Sequence, residues 1–514
     1  MNLASTLTQS ALKWPDKPAL VFEGQRWTYA QWNRQVNKAA HAFRAAGMRK
    51  GDRVAVLTYN LPEQVSTFYA LMKIGAVPVP INYRLAANEV KYIVDDSHAR
   101  MLVFEEALRA PVMAIRDDLA VEKLIYVGAS PEGAEVPFDK FIAPGSEAEP
   151  EAQVGWHDPA FIMYTSGTTG RPKGVVRSHL AEIMGSMTMA VECGFRHEDV
   201  ILNNKPLFHI AQLQLQFIPF VQIGGTNVLT RGFDVHQTLS LVGAEHITVL
   251  HGVPTQMVML VAADLSKYDL ATLRCGFYGG QTLADDVTRK CMALFPGYFS
   301  NVYGSTEALA VTTCDYRRHP RKLGSVGKAA LNMEVRVIRT DSRDPDDLCG
   351  PGEIGQLITR GASLLTGYFG LPERTAAAFA QGWFLSGDAA LVDDEGFITV
   401  MGRMDHTIKS GGENIHPSEI ENVLFKHPGI ANAAAVGLPS RKWGQAVCAA
   451  IVPRDRNLTA EMLDRFCLES PDLADFKRPR HYFFVDEIPA NPTGKVERGK
   501  LKELLLGRLA GPLD

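Results

Sequence analysis

Residues 164–175 read YTSGTTGRPKGV, a stretch that combines hydroxyl side chains, three glycines and one lysine. The apolar residues 161–163 before it predict a buried strand that leads into a turn. Glycines let backbone N–H groups approach an oxyanion closely, while hydroxyls and a lysine add side-chain donors for phosphate oxygens. The stretch therefore predicts a loop that binds a polyphosphate. Its candidate binding residues are Thr165, Ser166, Gly167, Thr168, Thr169, Gly170 and Lys173.

This loop differs from the common P-loop, which is GxxxxGK followed by serine or threonine. Here Lys173 comes three residues after Gly170, with Pro172 between them. A solvent loop rich in serine, threonine and glycine is the alternative that composition alone favours. The strand before the loop and the placed lysine favour phosphate binding.

Length and composition limit the class of protein. A chain of 514 residues predicts two or more domains, and 46% hydrophobic with 21% charged residues is typical of a globular protein. The net charge of −4 gives no reason to expect a nucleic-acid partner. Seven scattered cysteines without a CxxC pair fit a reducing compartment. With no signal peptide and no apolar run long enough for a transmembrane segment, we expect a cytoplasmic protein.

Alternating strand and helix patterns predict an α/β fold with a largely parallel sheet. Helices are expected to end at Gly47 and Gly75, since glycine is common just after a helix. The predicted strands are 19–22, 26–29, 54–57, 77–81, 247–250 and 275–278, and the predicted helices are 29–46, 64–74 and 255–263.

Glycines on both sides of a short charged segment, residues 402–412, predict a linker or hinge centred on Asp405. Beyond it, the patterns predict helices at 417–425 and 459–467 and strands at 431–437, 446–452 and 481–485. About 100 residues with their own apolar elements can form a small α+β domain. We therefore expect an N-terminal domain over 1–404 and a C-terminal domain over 405–514; a surface loop within one domain is the alternative.

A second chemical motif is NVYGSTE, residues 301–307. The ring of Tyr303 can stack on a purine, and Thr306 can donate a hydrogen bond to phosphate. Glu307 can hold Mg²⁺, which prefers carboxylate and phosphate oxygens. Alone, this segment is more typical of a turn at a strand end, but together with the first loop it indicates a nucleotide site.

The two motifs resemble the phosphate loop and the YGSTE-type motif of the acyl-adenylate-forming superfamily, which includes acyl-CoA synthetases, peptide-synthetase adenylation domains and beetle luciferases. Further segments are similar to this family in the same order. Residues 279–283, GGQTL, resemble its adenine-side GGAPL segment but carry Gln281 and Thr282 in place of a small residue and proline. Residues 383–388, WFLSGD, resemble its WxxTGD motif with Ser386 for threonine, and 491–495, NPTGK, resemble its catalytic-lysine loop.

The resemblance implies a large N-terminal domain of mostly parallel sheets flanked by helices and a small, mobile α+β C-terminal domain. It also implies that Asp388 and Arg403 bind the ribose, and that Gly280, Gln281, Thr282 and Tyr303 lie around the adenine. Lys495 would bridge the substrate carboxylate and the α-phosphate, an electrostatic role in the transition state. Lys173 would then handle phosphate, and Glu307 would hold Mg²⁺.

The C-terminal segments 410–421, SGGENIHPSEIE, and 475–480, DFKRPR, resemble those of acyl-CoA ligases. By that similarity, Gly411 and Gly412 line the pantetheine tunnel, Trp443 packs against coenzyme A, and Arg478 and Arg480 meet its phosphates. Arginine suits such contacts because its guanidinium binds phosphate in a bidentate manner. Each arginine taken alone is equally well explained as a solvated surface charge.

The acid is the least defined substrate. Phe208 and His209 resemble the segment that gates the carboxylate pocket, and His209 is also a candidate catalytic residue. Gln212 and Gln216 share a face if residues 209–217 form a helix, which predicts a partly polar pocket wall; contacts with solvent or another helix are an equal alternative. The resemblance fits benzoate-type ligases, such as 4-chlorobenzoate–CoA ligases, and medium- or long-chain fatty-acyl ligases equally well. The candidate acyl-pocket residues are His209, Gln212, His251, Tyr278, Gly279, Val302, Gly304 and Leu309.

The implied function is a two-step ligase in which a carboxylic acid and ATP give an acyl-adenylate and pyrophosphate, and coenzyme A then displaces AMP. The expected small molecules are the acid, ATP, Mg²⁺ and coenzyme A, and a homodimer is left open. A stand-alone adenylating enzyme that loads a carrier protein is the main alternative, although no carrier domain follows Lys495 in this sequence. A luciferase-like oxygenase and a non-catalytic nucleotide-binding regulator are further alternatives; Glu307 and Lys495 argue against the last.

Overall fold

The computed structural model describes residues 2–129, 133, 135–165, 171–281, 283–490, 496–509, 511 and 513. Within them, strands form five sheets. The largest has nine strands and a parallel centre. In order across this sheet the strands are Lys328–Ala329, Leu309–Asp315, Tyr298–Ser305, Cys275–Gly279, Val249–Gly252, Val200–Asn203, Thr226–Leu229, Pro18–Phe22 and Gln25–Thr28.

A second sheet has five strands that are all parallel. Its order is Val77–Pro80, Arg53–Leu57, Ala99–Glu105, Lys123–Val127 and Val136–Pro137. A third, antiparallel sheet contains Pro159–Thr165 and Lys173–Ser178, which flank the predicted phosphate loop, and Gly367–Tyr368, which pairs with the second of them. These sheets and their helices confirm the predicted α/β class.

The remaining two sheets are mainly antiparallel. One contains Met333–Ile338, Gly355–Gly361, Trp383–Val392, Phe379–Ala380 and Ile398–Arg403. The other contains Glu413–Ile415, Ile408–Ser410, Gly444–Pro453, Ile430–Ser440 and His481–Phe484. Two apolar clusters consist only of residues after Asp405, one on each face of this last sheet. The domain boundary at 404/405 stays a prediction.

Helices connect many of the strands and pack against the sheets. The α-helices are Ser5–Lys13, Tyr29–Ala45, Pro62–Ile74, Ala87–Asp96, Arg109–Met113, Phe138–Ile142, His179–Glu192, Ile210–Gln212, Ile218–Ile223, Val235–Ala244, Pro254–Ala262, Asp285–Leu294, Pro372–Ala377, Pro417–Leu424, Ala460–Glu469 and Arg498–Leu506. Short 3₁₀ turns are Glu106–Leu108, Arg116–Asp118, Leu265–Lys267, Met404–His406 and Asp475–Lys477. In the described part of the chain, no helix has the length and apolarity needed to cross a membrane.

The predicted helix stops at Gly47 and Gly75 are confirmed. Both glycines adopt a positive φ, of 90° and 75°, which other residues rarely adopt. The predicted elements agree with the structure to within a few residues. Glu23 and Gly24, with φ of 46° and 81°, form the turn of the predicted first hairpin, whose second strand ends at Thr28 because Tyr29 already begins the next helix.

The segment 209–217 is helical, but not as a regular α-helix. Leu213–Phe217 is a π-helical turn between the short α-helices Ile210–Gln212 and Ile218–Ile223. A π-turn widens the helix and is frequent at functional sites. The segment is fully buried, so its backbone geometry is set by packing between the nine-stranded sheet and helix His179–Glu192.

Candidate active site

The candidate site lies at the carboxyl ends of the parallel strands Cys275–Gly279 and Tyr298–Ser305, where ligands bind in open α/β sheets. The backbones approach closely here. A Cβ atom on Gly279 would lie 2.4 Å from the carbonyl oxygen of Val302, and one on Gly304 would lie 1.8 Å from that of Leu309. Only glycine fits either position. The structure thus brings together four of the candidate acyl-pocket residues, Gly279, Val302, Gly304 and Leu309.

Lys173 and Glu307 meet beside this edge. Lys173 Nζ lies 3.2 Å from Glu307 Oε1, and both side chains are about 15% exposed. Burial lowers the pKa of Lys173, while the charge of Glu307 acts in the opposite direction. Thr165 is the cross-strand neighbour of Lys173, and its buried Oγ1 has no hydrogen-bond partner among the described residues. The first loop and the YGSTE motif therefore meet as predicted.

Sequence reasoning missed Tyr368. Its hydroxyl donates to Glu307 Oε1 at 3.0 Å, and its ring lies 3.9 Å from Lys173 Nζ, within cation–π range. Burial, followed by the charge of Glu307, raises the pKa of Tyr368, which keeps the hydroxyl protonated as a donor. An aromatic residue between Gly367 and Gly370 was the sequence signal for it.

A second cluster holds the predicted ribose residues. Asp388 and Arg403 face each other on antiparallel strands, and Arg403 Nη1 donates to Asp388 Oδ1 at 3.3 Å. The Tyr303 hydroxyl donates to the other oxygen, Asp388 Oδ2, at 2.5 Å. The Ser386 side chain accepts from the Asp388 N–H at 3.0 Å. Burial and Asp388 raise the pKa of Tyr303.

The charge of Arg403 acts on both clusters. It adds to burial in lowering the pKa of Lys173, and it partly offsets the effect of burial and Glu307, which together raise the pKa of Tyr368. Arg403 also lies 3.8 Å from Asp405, the predicted hinge residue in the turn Met404–His406. Gly280 has a φ of 95° with open space around it, and Gln281 is exposed. Residues 166–170, Thr282 and Lys495 lie outside the described residues.

Arg177 is a second residue that sequence reasoning missed. It is fully buried, and its Nη1 donates to the carbonyl oxygens of Thr306 and Glu307 at 3.3 and 3.2 Å. Its Nη2 donates to Ser363 O at 2.8 Å, and its Nε donates to the equally buried Glu182 at 2.5 Å. An arginine directly after the apolar pair Val175 and Val176 was the available signal. Arg177 fixes the turn that carries Glu307.

The predicted pairing of Gln212 and Gln216 is present despite the π-turn. Gln212 Nε2 donates to Gln216 Oε1 at 3.0 Å, and Gln216 Nε2 lies 2.6 Å from His251 Nδ1. Burial lowers the pKa of His251, and the charge of Lys205 adds to that effect. These side chains form a buried polar network; its role in acid preference stays a prediction. His209 caps the short helix, its Nδ1 accepting from Ala211 N–H at 3.2 Å.

Tyr278 lies apart from this network. It is paired with Gly252, one position beyond the His251–Phe277 pair, and successive side chains in a strand point to opposite faces. Its ring packs in a different apolar cluster, and its hydroxyl lies 3.1 Å from that of Tyr316. The structure therefore does not bring the Tyr278 side chain together with the other candidate acyl-pocket residues.

The predicted coenzyme A residues form two neighbouring groups. Gly411 and Gly412 make a tight turn with φ of 60° and 89°, and a Cβ on Gly411 would lie 2.9 Å from the ring of Trp443. Arg478 donates to Asp464 and Asp475, and Arg480 lies 3.5 Å from the same Asp475. Both arginines are thus paired with carboxylates in this structure, and phosphate contacts by them stay a prediction.

Lys205 is a buried cation beside the Gln212–Gln216–His251 network. Its Nζ donates to Asn204 Oδ1 at 3.1 Å and to His251 O at 2.7 Å, and no carboxylate pairs with it among the described residues. Burial lowers its pKa from 10.5 to about 7. Below pH 7 the folded protein therefore bears the full cost of a dehydrated ammonium. Between pH 7 and 10.5 the folded state releases the proton that the unfolded state keeps, so stability rises with pH.

We expect Lys205→Met to raise the melting temperature at pH 6, with a gain of roughly 2 kcal/mol in unfolding free energy after two lost hydrogen bonds. The gain should shrink by about 1.4 kcal/mol per pH unit above pH 7. Thermal melts at pH 6, 7.5 and 9 measure it. Lys73→Met is the matched control, since Lys73 is equally buried but contacts Glu149 at 2.6 Å, and its loss should be destabilising. A lower melting temperature for Lys205→Met at pH 6 would contradict the assignment.

The comparisons agree with this geometry. Residues 7–369 match the AMP-binding enzyme family, and residues 419–495 match the AMP-binding enzyme C-terminal domain. The fold and the nucleotide-type site thus define an adenylate-forming enzyme, as the sequence predicted. The chain belongs to the AMP-binding enzyme family.

Three known proteins illustrate the relationship. A feruloyl-CoA synthase of Amycolatopsis sp. is 35% identical over 98% of both chains. A fatty acid–acyl-carrier-protein ligase of Streptomyces coeruleorubidus is 33% identical over 98% of this chain and 97% of its own. The ATP-bound crystal structure of MatB from Rhodopseudomonas palustris superposes with a TM-score of 0.88 at 28% identity, covering 98% of this chain and 99% of that one.

Proposed function

We propose that the protein is an ATP-dependent carboxylic acid–CoA ligase that forms an acyl-adenylate and then an acyl-CoA thioester. The observation that carries this proposal is the arrangement of Lys173, Glu307 and Tyr368 beside the pair Asp388–Arg403. Anion-binding and metal-binding groups stand on one side, and a carboxylate suited to two ribose hydroxyls stands on the other. Relatives that ligate acids to coenzyme A support the same reaction.

In the first step, an oxygen of the acid attacks the α-phosphorus of ATP and pyrophosphate leaves. In the second, the coenzyme A thiol attacks the acyl carbonyl and AMP leaves. Such chemistry depends on positioning and charge neutralisation, so no covalent nucleophile on the protein is needed. Lys173 neutralises phosphate charge, Asp388 accepts from the ribose hydroxyls, and Lys495 neutralises charge between the acid and the α-phosphate.

Magnesium fits the same group of residues. Mg²⁺ is usually held by one or two carboxylates together with substrate phosphates and water, and Glu307 offers such a carboxylate next to a phosphate-binding lysine. When bound, the ion would offset the charge of the triphosphate. A hinge at Asp405, which would withdraw Lys495 between the two steps, and a cytoplasmic location also belong to the proposal.

Supplying a panel of aliphatic and aromatic acids with ATP, Mg²⁺ and coenzyme A tests the function. We expect pyrophosphate release and the mass of the acyl-CoA thioester for at least one acid. A parallel arm offers a phosphopantetheinylated carrier protein in place of free coenzyme A, because one relative is named for that acceptor. Thioester on the carrier alone would favour the alternative function, and no product with any acid or acceptor would contradict ligation.

A further inference from the structure

A fully buried polar cluster lies beside the candidate acyl pocket, on the side of helix His179–Glu192. Its centre is Glu182, whose Oε1 accepts from Arg177 Nε at 2.5 Å and from Gln214 Nε2 at 2.9 Å. Both Glu182 and Gln214 have no solvent exposure. Gln214 belongs to the π-turn Leu213–Phe217, so the cluster joins helix His179–Glu192 to that turn.

Only some of the polar atoms in this cluster have hydrogen-bond partners. Glu182 Oε1 takes two donors, whereas Glu182 Oε2 and Gln214 Oε1 have none among the residues that the structure describes. The Ser186 hydroxyl, one helical turn after Glu182, is also buried and without a partner there. Arg177 cannot fill these positions, because its other nitrogens already donate to main-chain carbonyls. Unpaired buried acceptors are costly and rare in native proteins.

The cluster adjoins the predicted pocket through Leu309. A Cβ placed on Gly185 would lie 2.3 Å from Leu309 Cδ1, so the Leu309 side chain packs directly on the helix between Glu182 and Ser186. Leu309 in turn contacts Gly304 at the sheet edge. Leu309 therefore links the helix that carries Glu182 and Ser186 to the residues that the family resemblance places around the acid.

We infer that this cluster is the far end of the acyl pocket and that the preferred acid carries an uncharged hydroxyl which donates to Glu182 Oε2 or Gln214 Oε1. The inference rests on the proposed ligase function and narrows its substrate class to hydroxy acids. A site built to bind a substrate hydroxyl rejects the analogue that lacks it, because its own buried polar atoms are then left unpaired. The two unpaired acceptors would therefore select acids that carry a hydroxyl. The Ser186 hydroxyl can donate to only one of these acceptors, so the other still needs a donor.

Pairs of acids that differ by one hydroxyl test the inference: 4-hydroxycinnamate with cinnamate, 4-hydroxybenzoate with benzoate, and 10-hydroxydecanoate with decanoate. We expect the hydroxylated member of the best pair to have a kcat/KM at least about 100-fold higher. Gln214→Leu should reduce that ratio to below about tenfold, because it removes one acceptor. Gln214→Met, closer in flexibility and volume, provides the same measurement if the leucine variant folds poorly.

Gln222→Leu is the matched control, since Gln222 lies on the next helix with an unpaired Oε1 but outside the Glu182 cluster. In Gln222→Leu, the ratio of kcat/KM between the hydroxylated acid and its analogue should equal that of the parent protein. Turnover of both members of every pair with equal efficiency overturns this inference and leaves the ligase function intact. An unchanged ratio in both Gln214 variants also overturns it. Absence of thioester with every acid contradicts the ligase function and this inference together.

Discussion

Replacing Arg177 with methionine is expected to lower the free energy of unfolding by about 3–5 kcal/mol, the range found when one partner of a buried ion pair is removed. Arg177 and Glu182 are both fully buried, so the variant would leave a dehydrated carboxylate without its cation. It would also remove the donors to the Thr306 and Glu307 carbonyls. We therefore expect a weaker response of activity to Mg²⁺ as well as lower stability.

The stability loss should depend on pH. Burial already raises the pKa of Glu182, and the loss of Arg177 would raise it further above its unfolded value. The unfolded carboxylate then ionises at a lower pH than the folded one, so the destabilisation should be small near pH 4.5 and grow as the pH rises. Denaturant unfolding at pH 5 and pH 8 measures the difference.

Two further variants show whether the stability loss of Arg177→Met comes from the buried charge. Arg177→Met combined with Glu182→Leu should recover most of the lost stability, since no buried charge remains. Arg339→Met is the matched control, because Arg339 and Asp347 form an exposed pair at 3.1 Å with side chains 62% and 41% exposed. That change should alter stability by less than about 1 kcal/mol. A loss in Arg177→Met no larger than in Arg339→Met would show that the buried pair does not stabilise the fold.

Lys495→Ala is expected to slow acyl-adenylate formation by about 10²–10³-fold, the usual effect of removing one group that stabilises transition-state charge. Thioester formation from supplied acyl-adenylate should change by less than about threefold, because the carboxyl–phosphate bond is already made. Pyrophosphate release and acyl-CoA formation, measured separately for the two half-reactions, give the comparison.

Lys500→Ala controls for the loss of a nearby cation. Lys500 is 66% exposed on helix Arg498–Leu506 and contacts Glu497 at 2.9 Å, so neither half-reaction should change. Equal losses of both half-reactions in Lys495→Ala would count against its assigned role. Full adenylation in that variant would exclude the role altogether.

The sequence predicted which candidate nucleotide-binding residues would lie close together, because phosphate and ribose chemistry requires particular residues at particular spacings; their roles stay predictions. The meeting of Lys173 with Glu307 and of Asp388 with Arg403 followed from motifs on different strands. The residues that hold these side chains in place could not be predicted from motifs. Tyr368 and Arg177 reach the site from neighbouring strands, and such contacts are determined by packing across the chain.

The acyl side was the least predictable part. A helical period for residues 209–217 predicted that Gln212 and Gln216 would meet, and they do, but through a π-turn that no local pattern indicated. That turn directs Gln214 toward Glu182, a contact that an i,i+4 analysis overlooks. Strand alternation similarly separates Tyr278 from His251, although both lie on strands that end at the site.

The glycines at the sheet edge have a consequence for changing what this enzyme accepts. Gly279 and Gly304 are held against main-chain carbonyl oxygens, so any other residue at either position would displace a strand. Under the proposed acyl-pocket assignment, substitutions at these two glycines cannot reshape the pocket without disturbing the sheet. Changes in acid preference are then expected from helix His179–Glu192 and the π-turn, on the other side of Leu309.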